Sequence, residues 1–242
     1  MEPFETIIFE KKQGIAQVTL NRPKVLNSYN IKMRDELHQA LGVINDDPEV
    51  KAAVFTGAGD KAFCAGADLT EFGTAPSQAI ARQVRFERDI WGLFLSIPKP
   101  LIAAVHGYCL GSGVEIAFCC DIRIVTPEAK FGLPEVSLGM IPAALGTQTF
   151  PRYSGRSKSL EIMLTARTMD AQEAYNTGLA AKIVPRERLM IEAESLAAKL
   201  MDFDQNTLRL AKEAVVRGTD LSLAEGLAME KRLACMVVSA AD

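Results

Sequence analysis

The sequence predicts a layered α/β fold in which buried strands alternate with helices, followed by a helical region. Three observations carry this expectation. Short apolar, β-branched runs recur at 52–56, 101–105 and 122–125, bounded by turn residues, the pattern of parallel strands buried on both faces. Stretches with helical spacing lie between several of them. From Ser157 onward only helical stretches follow one another, the last with alanine-rich apolar stripes. Residues 1–155 therefore read as an α/β core and 156–242 as a helical region, a change of architecture without a linker long enough to free the second part.

In chain order, 4–10 and 14–20 read as a hairpin turned through Lys11-Lys12-Gln13-Gly14. Asn21-Arg22-Pro23 ends it. Asn30 can cap a helix over 31–44, whose Met33, Leu37, Leu41 and Ile44 share a face. His38 on that helix reads as a surface or interface residue. The strand 52–56 runs through Gly57-Ala58-Gly59-Asp60 towards Ala65-Gly66-Ala67-Asp68. Residues 77–95 read as a long helix carrying Trp91, ended by Pro98-Lys99-Pro100. The strand 101–105 enters a turn punctuated by Gly107, Gly111 and Gly113, and a helix over 114–120 and a strand over 122–125 follow. Gly132-Leu133-Pro134-Glu135 forms a corner. Residues 137–142 and 146–148 read as irregular loop, and helices are expected at 157–164, 171–177, 186–200, 206–217 and 220–235.

Composition narrows the function classes. With 48% hydrophobic and 24% charged residues in 242 positions, there is ample material for a core. A net charge of −3 without a basic cluster excludes an electrostatic footprint for nucleic acid. No apolar run reaches the ~20 residues of a membrane span, and the acidic start Met1-Glu2-Pro3-Phe4-Glu5 does not read as a signal peptide. Five cysteines without CxxC spacing suggest reduced thiols and a cytoplasmic protein. Two histidines make a histidine-rich metal site unexpected.

The chemistry concentrates between Pro100 and Val136. The glycines before the helix allow close approach of a ligand and expose N–H groups at a helix N-terminus, which suits a developing oxyanion or a phosphate. A tight strand-to-helix turn, with Glu115 stabilising the helix start, explains them equally well. The spacing is neither a dinucleotide fingerprint nor a Walker motif. Glu115 and Glu135 both stand in apolar surroundings, where a carboxylate is costly without a partner or a task. In parallel sheets the ligand crevice lies beyond the carboxyl ends of the strands. The loops at Ala67 and Ser112 are expected to follow two such ends and could offer two N–H donors to one carbonyl oxygen.

Several ordered blocks resemble the enoyl-CoA hydratase/isomerase (crotonase) superfamily along nearly the whole chain. They are Leu20-Asn21-Arg22-Pro23 with Asn27-Ser28, Phe63-Cys64-Ala65-Gly66-Ala67-Asp68-Leu69, Ala103-Ala104-Val105-His106-Gly107-Tyr108, Gly111-Ser112-Gly113-Val114-Glu115, Cys120-Asp121-Ile122-Arg123 and Phe131-Gly132-Leu133-Pro134-Glu135. The resemblance implies a crotonase-like spiral of ββα units with a helical C-terminal trimerisation region, assembled as a homotrimer or dimer of trimers. It implies an acyl-CoA thioester as substrate, with coenzyme A carried in as part of it and no separate cofactor. The backbone N–H groups of Ala67 and Ser112 would form the oxyanion hole. Glu115 would orient or activate water and Glu135 would give a proton to Cα, a pair kept twenty residues apart as in the hydratases. Coenzyme A and acyl contacts would fall at Lys24, Val25, Leu26, Ala65, Asp68, Leu69, Tyr108, Gly111, Pro134, Ala143 and Leu145.

Three departures accompany the resemblance. Ser112 stands where many relatives have the middle of three glycines. Pro142-Ala143-Ala144-Leu145-Gly146-Thr147 replaces a more glycine-rich loop, so Leu145 is expected to narrow or reshape the acyl pocket. The sequence stops at Asp242, before a last helix that often helps to cover coenzyme A. Other readings on the same scaffold are a Δ3-Δ2 enoyl-CoA isomerase, which commonly keeps only the later acid, another crotonase-type acyl-CoA reaction, and a non-catalytic acyl-CoA-binding trimer. A Ser112–histidine hydrolase lacks a suitably spaced base.

Overall fold

A computed structural model describes residues 3–72, 74, 77, 80 and 87–238. The chain runs β1 (Ile7–Lys12), β2 (Ile15–Leu20), α1 (Ile31–Asp46), β3 (Ala52–Gly57), β4 (Ala62–Cys64) and α2 (Ile90–Ser96). It continues with β5 (Leu101–Val105), β6 (Tyr108–Leu110), α3 (Ser112–Cys119), β7 (Ile122–Val125), β8 (Lys130–Gly132), α4 (Gly146–Ser154) and α5 (Arg156–Thr165). The last elements are β9 (Met169–Asp170), α6 (Ala171–Asn176), β10 (Lys182–Ile183), α7 (Leu189–Met201), α8 (Gln205–Gly218) and α9 (Leu223–Val238).

Two sheets share these strands. The larger has the order β1-β2-β3-β5-β7-β10 and the smaller β4-β6-β8-β9. In the larger sheet only the β1–β2 hairpin is antiparallel. In the smaller, β4, β6 and β8 are parallel and β9 closes the edge antiparallel. Each pair β3/β4, β5/β6 and β7/β8 places its first strand in the large sheet and its second in the small one, and helical chain then returns to begin the next pair. This is a spiral of ββα turns.

Strands β3, β5 and β7 of the large sheet are buried on both faces, as their apolar runs require. Ala52, Val54, Ile102, Ala104 and Ile124 pack under Leu189, Ala193 and Ala197 of α7. The alternate residues, including Ala53, Phe55, Leu101, Ala103 and Val105, face the main core, where Phe55 meets Phe94 with ring centroids 5.2 Å apart. Helix α1 closes the start of the spiral. The Asn30 side chain accepts the Met33 N–H at 2.9 Å, and Met33, Leu37, Leu41 and Ile44 are fully buried.

The structure departs from the sequence expectations in definite places. Strands β4, β6 and β8 occupy stretches expected as loops, turns or a corner; three residues are too few to show a period of two. Helix α3 begins two residues early, at Ser112, and α4 forms in part of the expected loop despite Pro151. Within the helix expected at 77–95, α2 is described from Ile90, and residues 78, 79 and 81–86 lie outside the described residues. Gly155, where a helical region was expected to begin, lies between α4 and α5, and β9 and β10 join the two sheets after it. Helices α8 and α9 pack on each other around Leu210, Met229 and Leu233. Lys212 ties α8 to the body through the Lys99 carbonyl at 3.0 Å and Asp121 at 2.8 Å. All five cysteines are free thiols, four of them buried. Among the described residues no helix is long and apolar enough to cross a membrane.

Candidate active site

The site is built at the carboxyl ends of the small sheet. Because β4, β6 and β8 are parallel neighbours, the chain leaving each emerges at one edge. These exits carry Ala65 to Leu69, Gly111 to Glu115 and a 3-10 turn over Pro134–Leu138. They surround a cavity of about 650 Å³. The sequence assigned the Ala67 and Ser112 loops to the long strands of the large sheet. The strands that deliver them are the short ones, inserted between each long strand and its helix.

Backbone packing sets the spacing of the two loops. Gly111 has φ +49°, and a Cβ there would lie 3.5 Å from the Gly66 Cα and 2.9 Å from Glu135 Oε1. A Cβ on Gly113 would lie 2.1 Å from the Cys64 carbonyl oxygen, so α3 starts in direct backbone contact with the end of β4. Ser112 is the first residue of α3, where the N–H has no partner within the helix. The bridge between Tyr29 and Ala67 uses the Gly66 carbonyl and the Asp68 N–H, at 2.8 and 2.7 Å. Successive N–H groups of an extended chain alternate, so that of Ala67 turns away from Tyr29. Ala67 and Ser112 both line the cavity.

Two carboxyl groups reach the same cavity in different states of confinement. Glu115, in the first turn of α3, is 2% exposed, and its Oε1 accepts the N–H groups of Ala144 at 2.9 Å and Gly146 at 3.0 Å. The loop before α4 thereby holds the carboxylate in one orientation. Glu135 is half-buried, and its Oε2 is a buried oxygen without a hydrogen-bond partner among the described residues. Burial raises its pKa above the ordinary carboxyl value. One acid is thus fixed by backbone donors, and the other retains its proton to higher pH than an ordinary carboxyl group. Such a division suits paired acid and base work.

A sequence profile described as enoyl-CoA hydratase/isomerase matches residues 10–242. The chain belongs to the enoyl-CoA hydratase/isomerase family. It is 37% identical over 227 residues to a protein named crotonyl-CoA hydratase from Syntrophomonas wolfei, covering 94% of this chain and 87% of that protein. It is 42% identical over 233 residues to a mitochondrial enoyl-CoA hydratase from Pongo abelii, covering 95% and 79%. The crystal structure of an enoyl-CoA hydratase from Bacillus anthracis superposes with a TM-score of 0.91 at 35% identity, covering 97% of this chain and 92% of that one. The fold is therefore the crotonase fold.

Of the residues expected to contact substrate in this family member, Ala65, Asp68, Leu69, Gly111, Pro134 and Ala143 line the cavity. The Asp68 carboxylate is already engaged, by Thr70 and by Arg22 at 2.9 Å, and these hold its pKa below the usual range. Lys24, Val25 and Leu26 lie outside the cavity wall, in and after a 3-10 turn beside it; the Leu26 carbonyl accepts the Ala65 N–H at 3.0 Å. Tyr108 is also outside the wall. It is 41% exposed on β6, with Lys130 Nζ 5.8 Å from its ring centroid. Leu145 does not narrow the cavity: with φ +83° its side chain turns to pack against the main core. Its loop acts through Ala144 and Gly146 instead.

Sequence reasoning missed part of the wall. Tyr29 and Trp91 line it with ring centroids 5.8 Å apart, and Arg34 and Arg88 line it nearby. Tyr29 stands two residues beyond Asn27, which was a signal for it. Nothing local connects Trp91 or Arg88 to the site. Neither histidine lines the cavity. His106 is buried with Nε2 2.9 Å from the Gly59 carbonyl oxygen, and burial, with Arg186 nearby, lowers its pKa to about 4. Ser112 therefore has no imidazole base in the wall. Among the described residues no cluster of three or more histidine, cysteine, aspartate or glutamate side chains is arranged to hold a metal ion.

Proposed function

We propose that this family member is an enoyl-CoA hydratase that adds water across the α,β double bond of an enoyl-CoA thioester. The thioester oxygen sits between the N–H groups of Ala67 and Ser112, which stabilise the negative charge that grows as water attacks Cβ. Glu115 orients the water and takes a proton from it. Glu135, whose pKa burial raises, gives a proton to Cα. The proton left on Glu115 returns to Glu135 through the next water, which restores the pair. Coenzyme A arrives as part of the substrate and the reaction needs no separate cofactor. Lys24, Val25 and Leu26, beside Ala65, contact the coenzyme A portion outside the wall. The assembly is a homotrimer or dimer of trimers formed through the C-terminal helices, acting in cytoplasmic fatty-acid metabolism.

The observation that carries this reading is the arrival of Glu115 and Glu135 in one cavity from two strand ends, beside Ala67 and Ser112. An isomerase needs only one shuttling acid, and the two donors held on Glu115 are then without purpose. The test is loss of enoyl-thioester ultraviolet absorbance when the purified protein meets crotonyl-CoA. Glu135→Gln is expected to lower kcat by at least ~100-fold with little change in binding of a saturated acyl-CoA. Full turnover by Glu135→Gln sinks the assignment.

A further inference from the structure

A buried charge outside the cavity holds the two helices that build part of it. Arg123 lies on β7, where Ile122 and Ile124 pack with α7 and the alternate residues, Arg123 and Val125, face the main core. It is 4% exposed, and a guanidinium does not lose its charge in a protein. Its hydrogen-bond partners among the described residues are four carbonyl oxygens and no carboxylate. Nε donates to Leu179 at 2.5 Å, Nη1 to Cys120 at 2.5 Å and to Ala117 at 3.4 Å, and Nη2 to Asp121 at 3.4 Å. The planar group also lies over Tyr153 of α4, with Cζ 4.3 Å from the ring centroid, and 5.9 Å from that of Phe118 in α3. Ala117 and Cys120 stand at the end of α3, where the helix carries its negative pole. A cation in the core is costly, so these contacts fix it in one place.

The same two helices carry site residues at their opposite ends. Ser112 opens α3 and Glu115 stands in its first turn, while Gly146 opens α4 and donates to Glu115 Oε1 at 3.0 Å. At the far end the Tyr153 hydroxyl donates to the Phe118 carbonyl at 3.3 Å. The Phe118 ring meets those of Phe150 and Tyr153, each with centroids 5.3 Å apart. Helices α3 and α4 are thus joined twice: by the Gly146–Glu115 bond in the cavity, and by Arg123 with Tyr153 about 12 Å further along α3. Arg123 does not line the cavity. We propose that Arg123 is a positioning residue for the reaction. By fixing the far ends of α3 and α4 it sets the Ser112 N–H against the thioester oxygen and the Glu115 carboxylate against water. The proposal rests on the hydratase reading and adds to it a residue that acts through the helices alone.

The test pairs hydration of crotonyl-CoA with the isotope-edited infrared carbonyl band of bound butanoyl-CoA, a saturated thioester that is not consumed, labelled at its carbonyl carbon. That band falls in frequency as N–H donors polarise the oxygen, and its position does not depend on how much of the sample is folded. Arg123→Gln is expected to lower kcat about 10- to 100-fold, as misplacement approaching ~1 Å does, with KM changed much less. Its band should move back towards that of the free thioester. Arg123→Lys keeps the charge without the planar fork and should recover part of both. Tyr153→Leu removes the ring under the guanidinium from a half-buried position and should lower kcat about tenfold. Together with Arg123→Lys it decides the matter if Arg123→Gln does not fold. Variants that unfold earlier, yet keep kcat per folded molecule within about twofold and keep the wild-type band, overturn the proposal and leave Arg123 a stabilising residue only. If the wild type leaves crotonyl-CoA intact, the hydratase reading fails and the band alone judges the proposal. A band shifted in the wild type and restored in the variants upholds it; a band alike in all of them overturns it.

Discussion

Gly113→Ala tests the claim that backbone contact between α3 and β4 sets the oxyanion donors. The new Cβ would lie 2.1 Å from the Cys64 carbonyl oxygen and 2.9 Å from the Cys64 Cβ, against 3.4 Å for an ordinary contact. Cys64 is held in parallel pairing with β6, so α3 must withdraw by about 1.3 Å. Ser112 precedes Gly113 in the same turn, and its N–H moves with it. Misplacement on the order of 1 Å costs ~100-fold in rate, and loss of one oxyanion donor costs ~100- to 1000-fold. Overpacking itself should cost ~1–3 kcal/mol of stability. The assay is steady-state hydration of crotonyl-CoA, alongside denaturant unfolding of the same sample. We expect kcat to fall about 100-fold with KM changing much less, because the donors act on charge that develops in the transition state. A variant that unfolds like the wild type and keeps kcat within about twofold refutes the reasoning.

Other consequences follow from the same contacts. Gly42→Ala, in α1, meets nothing within 4 Å of the added Cβ; it should gain ~0.5–1 kcal/mol in unfolding experiments and leave hydration unchanged. Glu135 has a folded pKa raised by burial. Its contribution is therefore fully present below the unfolded value near 4.5 and is lost as pH rises through the folded value. Glu135→Gln should match the wild type in stability at about pH 4 and exceed it at about pH 8, and an unchanged difference across that range removes the burial argument. Asn27 is fully buried at φ +56°, accepts the Arg22 N–H at 2.9 Å and donates to the carbonyls of Ala58 and Ala62 at 2.9 and 2.8 Å. Asn27→Ala leaves those groups without partners and should cost ~3 kcal/mol, read as a lowered unfolding midpoint.

Legibility in the sequence followed the range of the interactions involved. The long strands, helix α1 with its Asn30 cap and the alanine-rich helices were readable because each declares itself through its own periodicity within a few residues. Glu115 and Glu135 stood out because a carboxylate in an apolar run is costly wherever the run folds. Strands β4, β6 and β8 were not readable. They are three residues each and exist as strands only through pairing with chain about twenty or more residues away. Helix α4 was hidden by Pro151 and by the glycine and proline before it. Leu145 was misread for a related reason: its identity suggested a pocket wall, and its left-handed backbone turned the side chain into the core.

The sequence by itself determined the fold class, the buried long strands and the two carboxyl groups, since local pattern and the chemistry of single residues are enough to mark them, and its ordered blocks carried the resemblance to the family. Only the tertiary structure decided which strand ends carry the site, that Ala144 and Gly146 hold Glu115, and that Arg34 and Arg88 of the cavity wall meet on the Asp35 carboxylate, which does not line it. These groups are far apart along the chain. Their proximity arises from the crossing of the two sheets by successive ββα turns, which no window of sequence contains.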